Sequence, residues 1–367
     1  MVLGVRWRSF SWSSRTTDGP RSLRGRRSTG YGGATSVRFS VRFRCVALNS
    51  SASNKRKIGL ELTLASLRRL LPRRLLVPAE SAPQEFRRPP LADENRTPEQ
   101  VREHYEIEVA LADRLRRGGP AERPALYRKL YDELFRRVPH HPQVTRKFTA
   151  DEERLDVERQ LSFLRPHLES RDVFLEIGAG DCAVSRQVAN ICKQVYALDV
   201  SPEIAGGQPL PTNCEFVLSS GRDIPLPPLS VDVVYSNQLM EHLHPDDAQA
   251  QLHNIQRAIR PGGKYVCVTP NRVSGPWDVS MYFDEVARGF HLREYSLEDL
   301  TDLLHKAGFS RVDVYAGGRG YFMQVPKEVV RLAESVLKRL PYSVRSRLAH
   351  WMPVRGLLGL RVVAWKP

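Results

Sequence analysis

Apolar residues recur at helical spacing from Val101 through Tyr105, Val109, Ala112 and Leu115, and the pattern stops at Gly118-Gly119-Pro120. Thr97-Pro98-Glu99-Gln100 in front of it supplies an N-cap, a first-turn proline and a glutamine that closes a capping box. The spacing therefore predicts a helix beginning there. A second helix is predicted from Leu126, Tyr127, Leu130, Tyr131, Leu134 and Phe135, ending before Pro139, and a third over Glu152–Leu164. The period then changes. Short apolar runs at Val173–Ile177, Gln194–Asp199, Asn213–Leu218, Val231–Ser236 and Tyr265–Thr269 read as strands buried on both faces. Helical stretches separate them, from Ala183 and over Pro245–Ile259, and a further helix is predicted over Ser296–Ala307. Arg311–Tyr315 and Leu358–Trp365 complete seven predicted strands. Strands alternating with helices predict an α/β fold, an open and doubly wound sheet. Three parts follow: residues 1–95 as a basic extension expected to be disordered, 96–149 as a helical cap, and 150–367 as the sheet domain. A helical insertion is expected at about 320–356, before the last strand.

The chemistry concentrates where the strand Val173-Phe-Leu-Glu-Ile177 breaks into Gly178-Ala-Gly180 and a helix starts at once. A glycine turn between strand and helix brings backbone amides and a helix N-terminus up to a nucleotide. Gly178-x-Gly180-x-x-Ala183 also fits the dinucleotide fingerprint. The acids separate the two readings. Glu176 stands two residues before the first glycine, and Asp181 lies inside the turn, where a pyrophosphate would have to sit. Like charges about 4 Å apart repel by about 4 kcal/mol at an effective dielectric near 20. A nucleoside that carries an ammonium and a sulfonium suits such a turn better. Asp199 closes the next strand at the distance where an acid meets ribose hydroxyls. A charged contact of that kind contributes about 1.5–3 kcal/mol.

Glu176-x-Gly178-x-Gly180, Asp199, Gly221-Arg-Asp-Ile-Pro225 and the Arg260-Pro-Gly-Gly-Lys264 turn together resemble the class I S-adenosylmethionine (SAM) methyltransferases. The resemblance covers roughly residues 150–320 and the last strand. It implies a Rossmann-like fold whose last strand, Leu358–Trp365, is antiparallel at the sheet's edge, and SAM as cofactor, held by Glu176, Gly178, Gly180, Asp199, Val200, Asp223, Ile224 and Asn237. Asp223 would accept from the adenine amine, and Ile224 would pack on the ring. Gln238-Leu-Met-Glu241-His242 is similar to the E-x-x-E-H segment of ubiquinone-type O-methyltransferases and small-RNA 3′-end methyltransferases. In those families Glu and His side chains can hold a divalent metal. Here the first acid is the neutral Gln238, a weaker ligand, and no metal is expected. The same resemblance offers His242, His291 and Tyr282 as catalytic or acceptor-lining residues.

The reaction so implied moves a methyl group to an oxygen or nitrogen of a small-molecule acceptor. Rival readings are a non-catalytic SAM-binding module and a methyltransferase of RNA, lipid or glycan. A NAD-dependent oxidoreductase fails on Glu176 and Asp181. DNA is not an expected partner: amino-directed DNA enzymes carry N/D-P-P-Y/F where this chain has Ser236-Asn237-Gln238-Leu239.

Charge changes the picture at one end. The formal net charge is +15, but residues 1–60 hold thirteen basic residues against Asp18 alone, leaving only +3 for the rest. A basic catalytic surface does not follow. The segment fits a transit peptide, a nucleic-acid tail, or upstream sequence translated from a start codon placed too early. Leu60–Val77 reads as a short basic amphipathic helix, and Pro78–Asn95 as a linker. A basic amphipathic helix is also predicted where Val329, Ala333, Val336, Leu337 and Leu340 share one face. Contact with a membrane surface is compatible with it but is not the favoured reading. Five cysteines without a C-x-x-C pair fit a reducing cytoplasm. Import into an organelle follows only if residues 1–60 are a transit peptide. No apolar stretch is long enough to span a membrane.

Overall fold

The computed structural model describes residues 39–42, 59–62, 87, 94–146, 149–201 and 209–367. The chain divides into two compact units, Trp12–Glu80 and the remainder. In the smaller unit, β1 (Phe39–Arg42) and β2 (Gly59–Leu62) pair antiparallel. The helix predicted from Leu60 therefore begins as strand, and its remainder lies outside the described residues. So do nearly all of the basic extension and the linker.

The larger unit opens with α1 (Pro98–Arg117), α2 (Arg123–Arg137), the short α3 (Pro142–Thr145) and α4 (Ala150–Leu164). The predicted capping box is present, with Thr97 accepting from the Gln100 amide and Gln100 reaching back to Thr97. Thr149 and Glu152 form a second box ahead of α4. Strand β3 (Val173–Ile177) follows, then α5 (Ala183–Val188), β4 (Gln194–Asp199), β5 (Cys214–Leu218) and β6 (Val231–Asn237). After them come α6 (Pro245–Ala258), β7 (Ile259–Thr269), α7 (Leu297–Lys306), β8 (Arg311–Gly318) and β9 (Tyr321–Val325). Helices α8 (Lys327–Lys338), α9 (Tyr342–His350) and α10 (Met352–Leu358) precede β10 (Leu360–Trp365).

The sheet has eight strands in the order β5-β4-β3-β6-β7-β10-β8-β9. The five from β5 to β7 are parallel, and β10 is antiparallel to both of its neighbours. Two expectations are corrected here. The last strand lies inside the sheet between β7 and β8, because a strand as apolar as Val362-Val363-Ala364 is buried on both faces. The edge belongs to β9, a hairpin partner of β8 that occupies the start of the predicted helical insertion.

Alternation along each strand sorts the core into two layers. Leu175, Val234, Cys267 and Val362 pack on one face with α1, α2, α6 and α7. Phe174, Val233, Val266 and Val363 pack on the other with α4 and α5. Arg260-Pro-Gly-Gly263 is a bulge at the start of β7 rather than a separate turn: β6 pairs Val231 with Ile259 but Val233 with Lys264.

Candidate active site

The glycine turn is built on left-handed backbone, with φ of +75° at Gly178 and +53° at Gly180, positions that suit glycine. Cys182 follows at +59° and starts α5. Because β3 and β4 are neighbours, the amides of Gly178 and Ala179 reach the Leu198 carbonyl at 2.8 and 3.1 Å. Asp199 finishes the fastening. Its carboxylate accepts from the amides of Gly180 (2.9 Å), Val200 (2.7 Å) and Ser201 (3.3 Å). Burial pushes the Asp199 carboxyl up, and those three amides oppose the shift. The acid predicted for the ribose thus also holds the turn in shape.

Glu176 is buried, and Ser185 Oγ donates to its Oε2 at 2.5 Å. Burial first, and then the charges of Asp181 and Asp199, push its carboxyl up to about 8. In the loop after β5, the exposed Asp223 accepts from the Ser220 amide (2.7 Å), Ser219 Oγ (3.0 Å) and Ser220 Oγ. Val200 lies beside this loop, 3.4 Å from where a Cβ on Gly221 would stand. Ile224 differs from expectation. Its side chain is 1% exposed and packed in the core with Leu198, so it offers no open surface for a ring to stack on. Asn237 is half-buried at the carboxyl end of β6, and the chain turns away at Gln238 with φ of +53°.

Beyond the ends of β6 and β7 the structure gathers Glu241, His242 and His291. The two imidazoles meet edge to face with centroids 4.8 Å apart. His242 Nδ1 lies 3.1 Å from the Phe290 carbonyl, which can only accept, so Nδ1 carries the hydrogen and Nε2 holds the lone pair. The Tyr131 hydroxyl is 3.1 Å from the same Nδ1, and its ring stacks on Phe290. His291 Nδ1 donates to Glu294 Oε1 at 2.7 Å. Burial and the neighbouring His291 hold the His242 pKa well below its usual value. Burial works the same way on His291, but the Glu294 carboxylate outweighs it and raises that ring to about 9. Glu241 Oε2 accepts from Thr269 Oγ1 at 2.9 Å, while its Oε1, fully buried, has no hydrogen-bond partner.

Tyr282 is buried and donates its hydroxyl to Glu94 Oε2 at 2.9 Å, beside the Arg96–Glu94 pair.

Acids that sequence reading passed over complete the neighbourhood. Glu108 accepts from the Phe290 amide at 2.9 Å and from His104 Nε2 at 2.7 Å, which fixes the loop that carries His291. Asp278 accepts from the Gly289 amide at 2.9 Å. The signal for Glu108 was its spacing of four from His104 on α1, which places both on one buried face.

Among the described residues, two sets of side chains bring ligand atoms within 4.8 Å of one another: Glu241, His242 and His291, and His104, Glu108 and His141. The second set does not fit a cation. The Arg96 guanidinium donates to His104 Nδ1 at 2.6 Å, so Nε2 must carry the proton given to Glu108. The first set fits better: both Nδ1 atoms are anchored by acceptors, and Glu241 keeps an unpartnered oxygen.

Residues 175–267, from β3 to β7, match a family described as a methyltransferase domain. A probable SAM-dependent methyltransferase of Mycolicibacterium smegmatis is 35% identical over 144 residues, which cover 39% of this chain and 53% of that protein. A similarly named protein of Mycobacterium tuberculosis is 34% identical over 152 residues, covering 41% of this chain and 52% of its own length. The chain thus spans about half the length of these curated relatives. Among solved structures, the Burkholderia thailandensis 1,6-didemethyltoxoflavin-N1-methyltransferase aligns over 68% of this chain and 91% of its own. That alignment has 19% identity and a TM-score of 0.42, too low to bear on function. With the family match, the relatives and the glycine turn between β3 and α5 taken together, the chain carries a class I SAM-dependent methyltransferase domain.

Proposed function

We propose that the whole chain transfers a methyl group from SAM to an oxygen or nitrogen of a small-molecule acceptor. The observation that carries this reading is the pair of a half-buried His242 and a buried His291 beyond the carboxyl ends of the strands, where ligands bind in open α/β sheets. Gly178, Gly180 and Asp199 shape the cofactor turn, and Asp223 stands at the adenine loop. The transfer is an in-line displacement, so alignment is the first requirement. An acceptor that must lose a proton also needs a base. His242, with its hydrogen held by the Phe290 carbonyl, presents Nε2 for that task. His291, paired with Glu294, supplies a hydrogen-bond donor beside it. For location we propose the cytoplasm; Cys182, Cys192, Cys214 and Cys267 are all free thiols.

Calorimetry with SAM, on the wild-type chain and on Asp199→Ala, tests the cofactor. Binding weakened about tenfold in the variant, a loss of about 1.4 kcal/mol, is the expected result. A folded chain that binds no SAM removes the reading. Methyl transfer across an acceptor set, followed by product mass, then tests the class of acceptor.

The unpartnered oxygen of Glu241 favours a second reading, in which Glu241, His242 and His291 hold a divalent cation. Such an ion would act as a Lewis acid on an acceptor oxygen. Metal content after dialysis against zinc, manganese or magnesium decides it. About one ion per chain, lost in His291→Ala, supports the cation; no retained metal leaves His242 as the base.

A further inference from the structure

The loop that carries Asp223 is gripped from two sides. On one side, α6 presents Gln251, Asn254 and Arg257 at a spacing of three. Their side chains donate to the carbonyls of Gly221 (2.7 Å), Arg222 (2.9 Å) and Ile224 (3.0 Å). On the other side stands the cap. Arg222 Nη1 donates to the Pro120 carbonyl at 3.0 Å, and the Tyr127 ring lies 3.9 Å from where a Cβ on Gly221 would stand.

Both sides meet at one carboxylate. Asp247, in the first turn of α6, is completely buried. It receives Arg123 through Nε at 2.6 Å and Nη2 at 2.8 Å, a bidentate pair from the first residue of α2. It receives the Tyr127 hydroxyl at 2.9 Å, and Arg222 Nε lies 3.2 Å away. Tyr127 in turn accepts from the His244 amide at 2.8 Å. One acid therefore ties the cap helix, the start of α6 and the cofactor loop together. A buried bidentate charge pair is rigid and specific in direction, which a loop needs if it is to meet a ligand in one conformation.

We infer that Asp247 is a positioning residue for the cofactor: through Arg123, Tyr127 and Arg222 it makes the shape of the 219–224 loop depend on the cap. It touches no ligand itself. The inference rests on the reading of that loop as part of the SAM site. It goes beyond that reading because it assigns cofactor affinity to a contact between the cap and α6.

The test is calorimetric binding of S-adenosylhomocysteine to the full chain, well below its unfolding temperature. Wild type, Asp247→Asn, Tyr127→Phe and Arg123→Lys are compared, with circular dichroism as the check on folding. Asp247→Asn is expected to weaken binding about tenfold and Tyr127→Phe about threefold, with Arg123→Lys between them and wild type. A purely structural role would lower the unfolding midpoint and leave the affinity of the folded chain unchanged. That result, folded Asp247→Asn binding as tightly as wild type, overturns the inference. If Asp247→Asn does not fold, Tyr127→Phe decides: weakened binding supports the inference and unchanged binding overturns it. A wild-type chain that binds no S-adenosylhomocysteine removes the SAM reading and this inference with it, so the two failures are distinguishable.

Discussion

Glu176 has an ordinary place in the sequence and an unusual state in the fold. Its carboxyl is raised to about 8, so the group holds its proton at neutral pH in the ligand-free chain. The folded value lies above the unfolded one near 4.5, so its contribution to stability is full below that pH and fades as pH rises through 8. A cationic ligand reverses the preference by drawing the ionised form. Binding of S-adenosylhomocysteine, whose ammonium would face this acid, is expected to release up to about one proton near pH 7. Calorimetry in buffers of different ionisation enthalpy measures that number, and Glu176→Gln should abolish it. Heat independent of buffer would leave Glu176 as a neutral partner of Ser185.

The same residue shows what was legible in the chain. Glu176 and Asp199 lie on adjacent strands whose backbones are joined at Gly178 and Gly180, so the turn they frame was legible from spacing alone. The burial of Ile224 was not legible, because the neighbours of a large side chain are fixed by tertiary packing. Asp247 and Glu108 stayed hidden, since an acid on a helix resembles a solvated face until a buried partner is found.

At the level of elements, the bulge that opens β7 depends on two glycines. Gly262 has φ of +77°, and a Cβ on Gly263 would stand 2.7 Å from the Asp232 carbonyl oxygen and 2.6 Å from Ile259 Cγ2. The carbonyl is backbone and cannot swing aside. Gly263→Ala is expected to cost about 1–3 kcal/mol, read from the urea midpoint. A smaller change would mean that β6 and β7 slide past each other more freely than their register implies. Helices α1, α6 and α7 were legible almost to the residue: α1 from its capping box, and α6 and α7 from periodicity and flanking turns. Strand β9 was not, because Tyr321 and Met323 point outward from an edge and give no buried stripe. Its hairpin turns on Arg319 and Gly320, both at positive φ.

Across the whole molecule, the sheet is two sequence blocks joined by one strand. Strands β5, β4, β3, β6 and β7 come from one continuous stretch, while β8 and β9 connect to them only through β10. Removing residues 360–367 is therefore expected to detach β8 and β9 and to replace a single unfolding transition with a broad or biphasic one. Urea titration followed by circular dichroism would show it. An unchanged sharp transition would mean that α7 and α8 hold the edge without the strand.

The interior place of β10 also bears on the order of events at the ribosome. Every parallel strand through β7 can find its neighbour as it emerges, but β8 and β9 must wait, with their inner edge open, while three helices are synthesised. A growing chain exposes an unpaired strand edge during that interval, the kind of surface that invites mispairing with another nascent chain. The helices α8, α9 and α10 are thus a delay as well as a structure, and β10 is the strand that ends it by joining β8 to β7.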